Sequence, residues 1–110
     1  MSAFEEFWST LVEEIGSLAR SQLERFKDEA ISDAKDFLEG SREDLQRWAL
    51  LVEEGRLTRA DLEFLVQGRI SLARMRALER AGLARADIDR FRRSVVNLFI
   101  DSAFKILVPA

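Results

Sequence analysis

The chain contains no cysteine, no histidine and no tyrosine among its 110 residues. Without cysteine it has neither disulfides nor a thiolate nucleophile, and nothing in it argues for an oxidising compartment. Without histidine it lacks the most common general base and a principal zinc ligand. These absences argue against an enzyme, and we expect no cofactor and no bound metal.

Proline and glycine, the residues that most often interrupt helices, are scarce: one proline, next to last, and five glycines. No segment alternates apolar and polar residues over the length of a strand, and no Asn-Gly or Asp-Gly hairpin turn is present. A chain of this length can build one modest core. We therefore predict an all-α fold, a small antiparallel bundle of four helices that forms a single domain over 1–110.

Motifs that hold phosphates are missing as well, since no glycine cluster could cradle a phosphate. Four serines in predicted helical stretches have neither a G-x-S-x-G nor an S-x-x-K setting: Ser9, Ser17, Ser21 and Ser71. Adjacent carboxylates do occur, but each pair flanks apolar positions on a predicted helix, which is typical of a solvated face: Glu5 with Glu6, Glu13 with Glu14, Asp28 with Glu29, and Glu53 with Glu54. We predict no enzymatic activity.

Capping residues set the boundaries of a long first helix. Ser2, with Glu5 three residues later, has the pattern of a capping box, and Gly40 stands where a helix over 2–39 would end. Four apolar residues recur every 11 positions along this segment: Phe4, Ile15, Phe26 and Phe37. That period favours one continuous, nearly straight helix.

Three further helices follow from similar signals. Ser41 and Gly55 enclose a short second helix, 42–54. Thr58, with Asp61 behind it, begins a third helix, 58–81, which Gly68 could divide. A fourth helix, 84–108, ends before the proline. The third and fourth helices are predicted to form a long C-terminal hairpin.

The predicted fourth helix is apolar around ~240° of its circumference, whereas a surface helix usually shows an apolar arc of ~100°. If a lone bundle leaves about half of Ile100, Phe104, Leu107 and Val108 in water, burying that remainder would favour association. We therefore predict self-association, with a dimer favoured, through this helix and the aromatic-rich start of the first helix. The candidate interface residues are Phe4, Phe7, Trp8, Leu98, Phe99, Ile100, Phe104, Leu107 and Val108.

Charge is divided unevenly between the two halves of the chain. Residues 1–54 carry 14 acidic and 6 basic side chains, whereas 55–110 carry 6 acidic and 11 basic. The arginine-rich segment 69–93 either faces an anionic partner or pairs with the acidic first helix of the same or a second chain. The candidate anion-facing residues are Arg69, Arg76, Arg80, Arg92 and Arg93. The net charge of −3 and the lack of a lysine-rich arm argue against nucleic acid.

Two function classes follow. The first is a non-enzymatic interaction or scaffold protein that acts as a homo-oligomer and could also bind a protein partner. The alternative is an amphipathic helical protein that binds a lipid or membrane surface. We expect a cytoplasmic location, because no secretory leader opens the chain and no apolar run reaches the ~20 residues that span a membrane.

Overall fold

The computed structural model describes residues 3–108, and within that range all regular secondary structure is helical, with no strand. The all-α class is therefore confirmed. The described residues form six α-helices rather than the predicted four, and a short 3-10 helix, Glu24–Phe26, joins the first two. The α-helices are α1 (Ala3–Gln22), α2 (Lys27–Gly40), α3 (Arg42–Glu53), α4 (Arg59–Ile70), α5 (Arg76–Arg80) and α6 (Arg85–Ile106).

The first predicted helix is not continuous. Leu23, with φ −135° and ψ 54°, leaves helical geometry between α1 and the 3-10 helix. The end of α2 then lies beside the start of α1, where Leu38 and Trp8 line the same groove. A continuous rod would have kept α2 from packing against α1. Folding back instead buries the apolar residues of α2, namely Ala30, Ala34, Phe37 and Leu38.

The third predicted helix is also divided, but not at Gly68. That glycine lies inside α4, and the break comes after it, at residues 71–75. The Ser71 hydroxyl donates to the carbonyl oxygen of Gly68 at 2.9 Å, which offers the backbone a local alternative to continuing the helix. The break directs Met75 and Leu78 into the core, where both are fully buried.

Several predicted helix ends are confirmed. Gly55 and Gly82 adopt φ of 74° and 88°, the left-handed conformation that closes a helix. After Gly82, the Leu83 N–H donates to a carbonyl in α5 at 3.2 Å. At the start of α4, Thr58 and Asp61 form a complete capping box.

Other predicted boundaries differ or lie outside the described residues. Gly40 is the last residue of α2 and does not have positive φ. Ser41 does occupy the N-cap position of α3, but its hydroxyl makes no capping hydrogen bond. The predicted N-cap Ser2 and the terminating Pro109 lie outside residues 3–108.

The C-terminal helix α6 lies at the centre of the core. It packs chiefly against α1 and α4, with smaller contacts to α3 and α5. Polar contacts join it to α1 at two points: Gln22 donates to Ser94 at 2.7 Å, and Ser102 donates to Glu14 at 3.2 Å. Its buried residues are Ile88, Phe91, Val95, Val96, Phe99, Ile100, Ser102 and Ala103. The wide apolar arc of this helix is therefore largely covered by its own chain.

Candidate interaction surfaces

The structure buries much of the predicted interface. Phe7, Phe99, Ile100 and Leu107 belong to the core, with Ile100 only 2 % and Leu107 only 3 % exposed. The expectation that these last turns stay half in water is therefore wrong for both residues, because neighbouring helices cover them. The partly buried members of the set are Phe4, Trp8, Leu98 and Phe104, and Val108 is exposed at 36 %.

The predicted aromatic residues of α1 pack within the chain. The Phe4 ring centroid lies 5.5 Å from that of Trp8, and Phe7 contacts Phe99 edge-to-face at 5.3 Å. The Arg42 guanidinium carbon lies 5.0 Å from the centroid of the Trp8 ring, within the range of a cation–π contact. These contacts tie α1 to α3 and α6.

A shallow groove lies where the start of α1 meets the end of α6. Phe4 and Leu107, from opposite ends of the chain, both line it, together with residues of α3. Its volume is about 260 Å³. Leu50 of α3, which the sequence analysis did not single out, borders this groove and is 53 % exposed. The start of α1 and the end of α6, the two segments of the predicted interface, thus meet at one end of the molecule.

The most exposed large apolar side chains lie elsewhere, on α4 and directly after it. Phe64 is 79 % exposed and Leu72 is 77 % exposed. Sequence reasoning missed both, although a signal was present. In α4 the buried residues are Leu62, Val66 and Ile70, and Phe64 falls out of phase with that face.

The arginine-rich segment is only partly neutralised. Arg69 pairs with Asp44 of α3, and Arg92 bonds to both Asp89 and the carbonyl of Ala73 at 2.8 Å. By contrast, the exposed Arg76, Arg80, Arg85 and Arg93 form no ion pair within residues 3–108. In the described part of the chain no ion pair joins 69–93 to α1 or α2, so intramolecular pairing with the acidic first helix is not observed.

A buried carboxylate fixes the short helix α5. Asp33 of α2 is only 4 % exposed, and its two oxygens accept from the backbone N–H groups of Ala77 and Leu78 at 3.0 and 2.8 Å. The N-cap residue of α5, Met75, supplies no side-chain cap. Asp33 therefore caps α5 from another helix, at the end where the helix dipole favours a negative charge.

Residues 3–108 form neither a metal site nor a membrane span. Over residues 3–108, no group of three or more acidic side chains could hold a metal ion. Within that same range, no helix combines the length and apolar character needed to cross a bilayer.

Comparison with known proteins adds no relative. No known protein family matches the chain, and no curated protein or solved structure does so either.

Proposed function

We propose that this chain is a non-enzymatic helical interaction protein that acts as a homo-oligomer, most simply a dimer. The observation that supports this proposal is the exposure of Phe64. Of the eight phenylalanines, it alone is exposed, and the other seven are buried or half-buried. Burying this ring as well would lower the free energy of the protein, and a second copy of the chain can cover it.

The size of the exposed ring makes association energetically reasonable. Aromatic side chains offer 150–250 Å² each, so at 79 % exposure Phe64 leaves roughly 120–200 Å² in water. At ~25 cal/mol per Å², burying that area contributes roughly 3–5 kcal/mol per ring. The free energy gained by burying two such rings in a symmetric dimer only roughly matches the ~4–15 kcal/mol that association costs. A stable dimer must therefore bury further apolar side chains, and Leu72 is equally exposed.

The C-terminal helix keeps a smaller place in this proposal than the sequence predicts. Because α1 and α4 cover most of α6, what it can offer a second copy is its end, near Val108, beside the groove that Leu50 borders. This end of the molecule is the competing interface. Charge substitutions placed here and at Phe64 decide which of the two surfaces mediates association.

Energy transfer between labelled copies tests the proposal. Since the chain has no cysteine, Ser21→Cys on the exposed end of α1 provides one labelling site. Donor-labelled and acceptor-labelled samples are mixed at micromolar concentration. We expect energy transfer that an excess of unlabelled protein abolishes. No transfer, together with a monomeric mass, would overturn the proposal.

Binding to an anionic lipid surface is the second candidate. It is favoured by the four exposed arginines that lack an ion-pair partner within residues 3–108, Arg76, Arg80, Arg85 and Arg93. A lipid-binding protein would float with anionic vesicles and would be released by salt. Neutral vesicles are the control. A self-associating protein that ignores lipid would stay at the bottom of the gradient with both.

A further inference from the structure

A cleft opens between the short helix α5 and the first turns of α6. Its volume is about 350 Å³, and its walls carry two guanidinium groups, one carboxylate and two apolar side chains: Arg85, Arg92, Glu79, Leu83 and Ile88. The carboxylate of Glu79 is already paired with the guanidinium of Arg74, 3.0 Å away. The cleft and its surroundings therefore carry an excess of positive charge.

Arg92 is held in a fixed orientation at this cleft. One of its terminal nitrogens donates to the carboxylate of Asp89 and the other to the carbonyl oxygen of Ala73, each at 2.8 Å. The side chain is still 20 % exposed. Each terminal nitrogen of a guanidinium carries two N–H groups, so these two bonds leave one donor on each nitrogen for a further acceptor. Because the side chain is already ordered, binding such an acceptor costs little conformational entropy.

Other arginines beside the cleft are not neutralised by the chain itself. Residues 74–85 contain four arginines and a single acidic side chain. Arg76 and Arg80 are one turn apart on α5, on the side away from its buried Leu78. Neither of these two arginines nor Arg85 forms an ion pair among the described residues. Like charges one helical turn apart repel each other, and an anion bound beside them would offset that repulsion.

We propose that the cleft between α5 and α6 binds a phosphate group of the monoester type, which carries about −1.5 to −2 charges at neutral pH. The planar guanidinium group presents its donors in a fork that matches phosphate oxygens, and two such groups line the cleft. Leu83 and Ile88 provide an apolar wall for the organic part of the ligand. The inference does not rest on self-association. It gives the lipid-binding candidate a specific site, because a lipid headgroup and a soluble phosphomonoester share this chemistry.

Titration with inorganic phosphate tests the cleft. NMR of the arginine side-chain N–H groups follows binding at constant ionic strength, with chloride replacing phosphate. We expect the Nε–H signals of Arg85 and Arg92 to shift and to saturate. Arg85→Gln should weaken binding at least ~10-fold, the effect of removing a charged hydrogen-bond donor. Arg90→Gln is the matched control, because Arg90 is an exposed arginine of the same helix that does not line the cleft. Both substituted side chains are exposed, so both variants should fold.

Flotation with vesicles identifies the source of the phosphate. Phosphatidylcholine vesicles that contain phosphatidic acid present a phosphomonoester, whereas vesicles of equal charge that contain phosphatidylglycerol present only a diester. Flotation with phosphatidic acid alone, weakened by Arg85→Gln, would assign the cleft to a lipid headgroup. NMR shifts without flotation would assign it to a soluble phosphate compound. If neither probe binds, or if Arg85→Gln weakens binding no more than Arg90→Gln does, the cleft is not a phosphate site. Self-association is measured separately as molar mass, so each proposal can fail alone.

Discussion

The carboxylate of Asp33 accepts a hydrogen bond at 2.8 Å from the backbone N–H of Leu78, a residue 45 positions further along the chain. The same carboxylate bonds to Ala77, so one buried side chain holds two of the N–H groups at the start of α5. A helix of five residues is too short to be stable alone. The position of α5, and of the fully buried Leu78 side chain, therefore depends on α2.

Asp33→Ala should destabilise the fold by about 3 kcal/mol, because two donors at the buried start of α5 lose their charged acceptor. Asp33→Asn should cost less, about 1–2 kcal/mol, since the amide oxygen can still accept one of the two hydrogen bonds. The matched control is Asp36→Ala, an exposed aspartate one turn away on α2. Urea denaturation measures all three. Equal midpoints for Asp33→Ala and Asp36→Ala would contradict the role assigned to Asp33.

Ile100→Asp should abolish the folded state rather than produce a folded monomer. From the sequence, Ile100 is a candidate interface residue, but the structure leaves only 2 % of it exposed. An unpaired carboxylate in that position costs several kcal/mol, a large share of the stability of a small domain. Circular dichroism should show lost helicity for Ile100→Asp and near-native helicity for Phe64→Asp. A helical, well-folded Ile100→Asp protein would contradict the central placement of α6.

Gly16→Ala should stabilise the protein by roughly 0.5–1 kcal/mol. Gly16 lies inside α1, and a Cβ atom there would meet nothing within 4 Å, so alanine removes chain entropy from the unfolded state without a clash. Gly82→Ala, at φ 88°, should instead cost ~1–2 kcal/mol. Thermal melts of the pair should shift in opposite directions. A destabilised Gly16→Ala protein would show that α1 needs a close approach at this position.

The contribution of Asp61 to stability should depend on pH and should be lost in acid. The backbone N–H of Thr58, and after it the Thr58 hydroxyl, hold the pKa of Asp61 below its ordinary value of 3.8. Because the folded pKa is lowered, the contribution is complete above 3.8 and disappears as the pH falls through the folded value. A carboxyl-carbon NMR titration should give a midpoint below 3.8, and the melting temperatures of wild type and Asp61→Asn should converge in acid. A midpoint at or above 3.8 would contradict the capping box.

Helix ends marked by specific backbone chemistry could be predicted from the sequence. Gly55 and Gly82 supply the left-handed conformation, and Thr58 with Asp61 supplies the reciprocal cap. Each of these signals is local, because one or two residues satisfy the backbone groups of a helix end. The start of α6 after Ala84 could be predicted for a related reason, because Gly82 has already ended the preceding helix.

The two breaks inside predicted helices could not be predicted, because they serve packing between helices. Leu23 carries no helix-breaking chemistry, yet the chain turns there so that α2 can cover α1. The apolar period of 11 residues describes both segments equally well whether or not they are joined. The burial of Ile100 could not be predicted for the same reason. Residues of other helices cover it, and the periodicity of its own segment carries no information about them.

The molar mass of the wild-type protein, measured by light scattering over a wide concentration range, tests self-association most directly. The chain has a mass of 12.6 kDa. We predict that the measured mass rises with concentration toward twice that value, and that Phe64→Asp holds it at the monomer value while Leu50→Asp does not. A wild-type mass that stays at 12.6 kDa across the range would contradict the account.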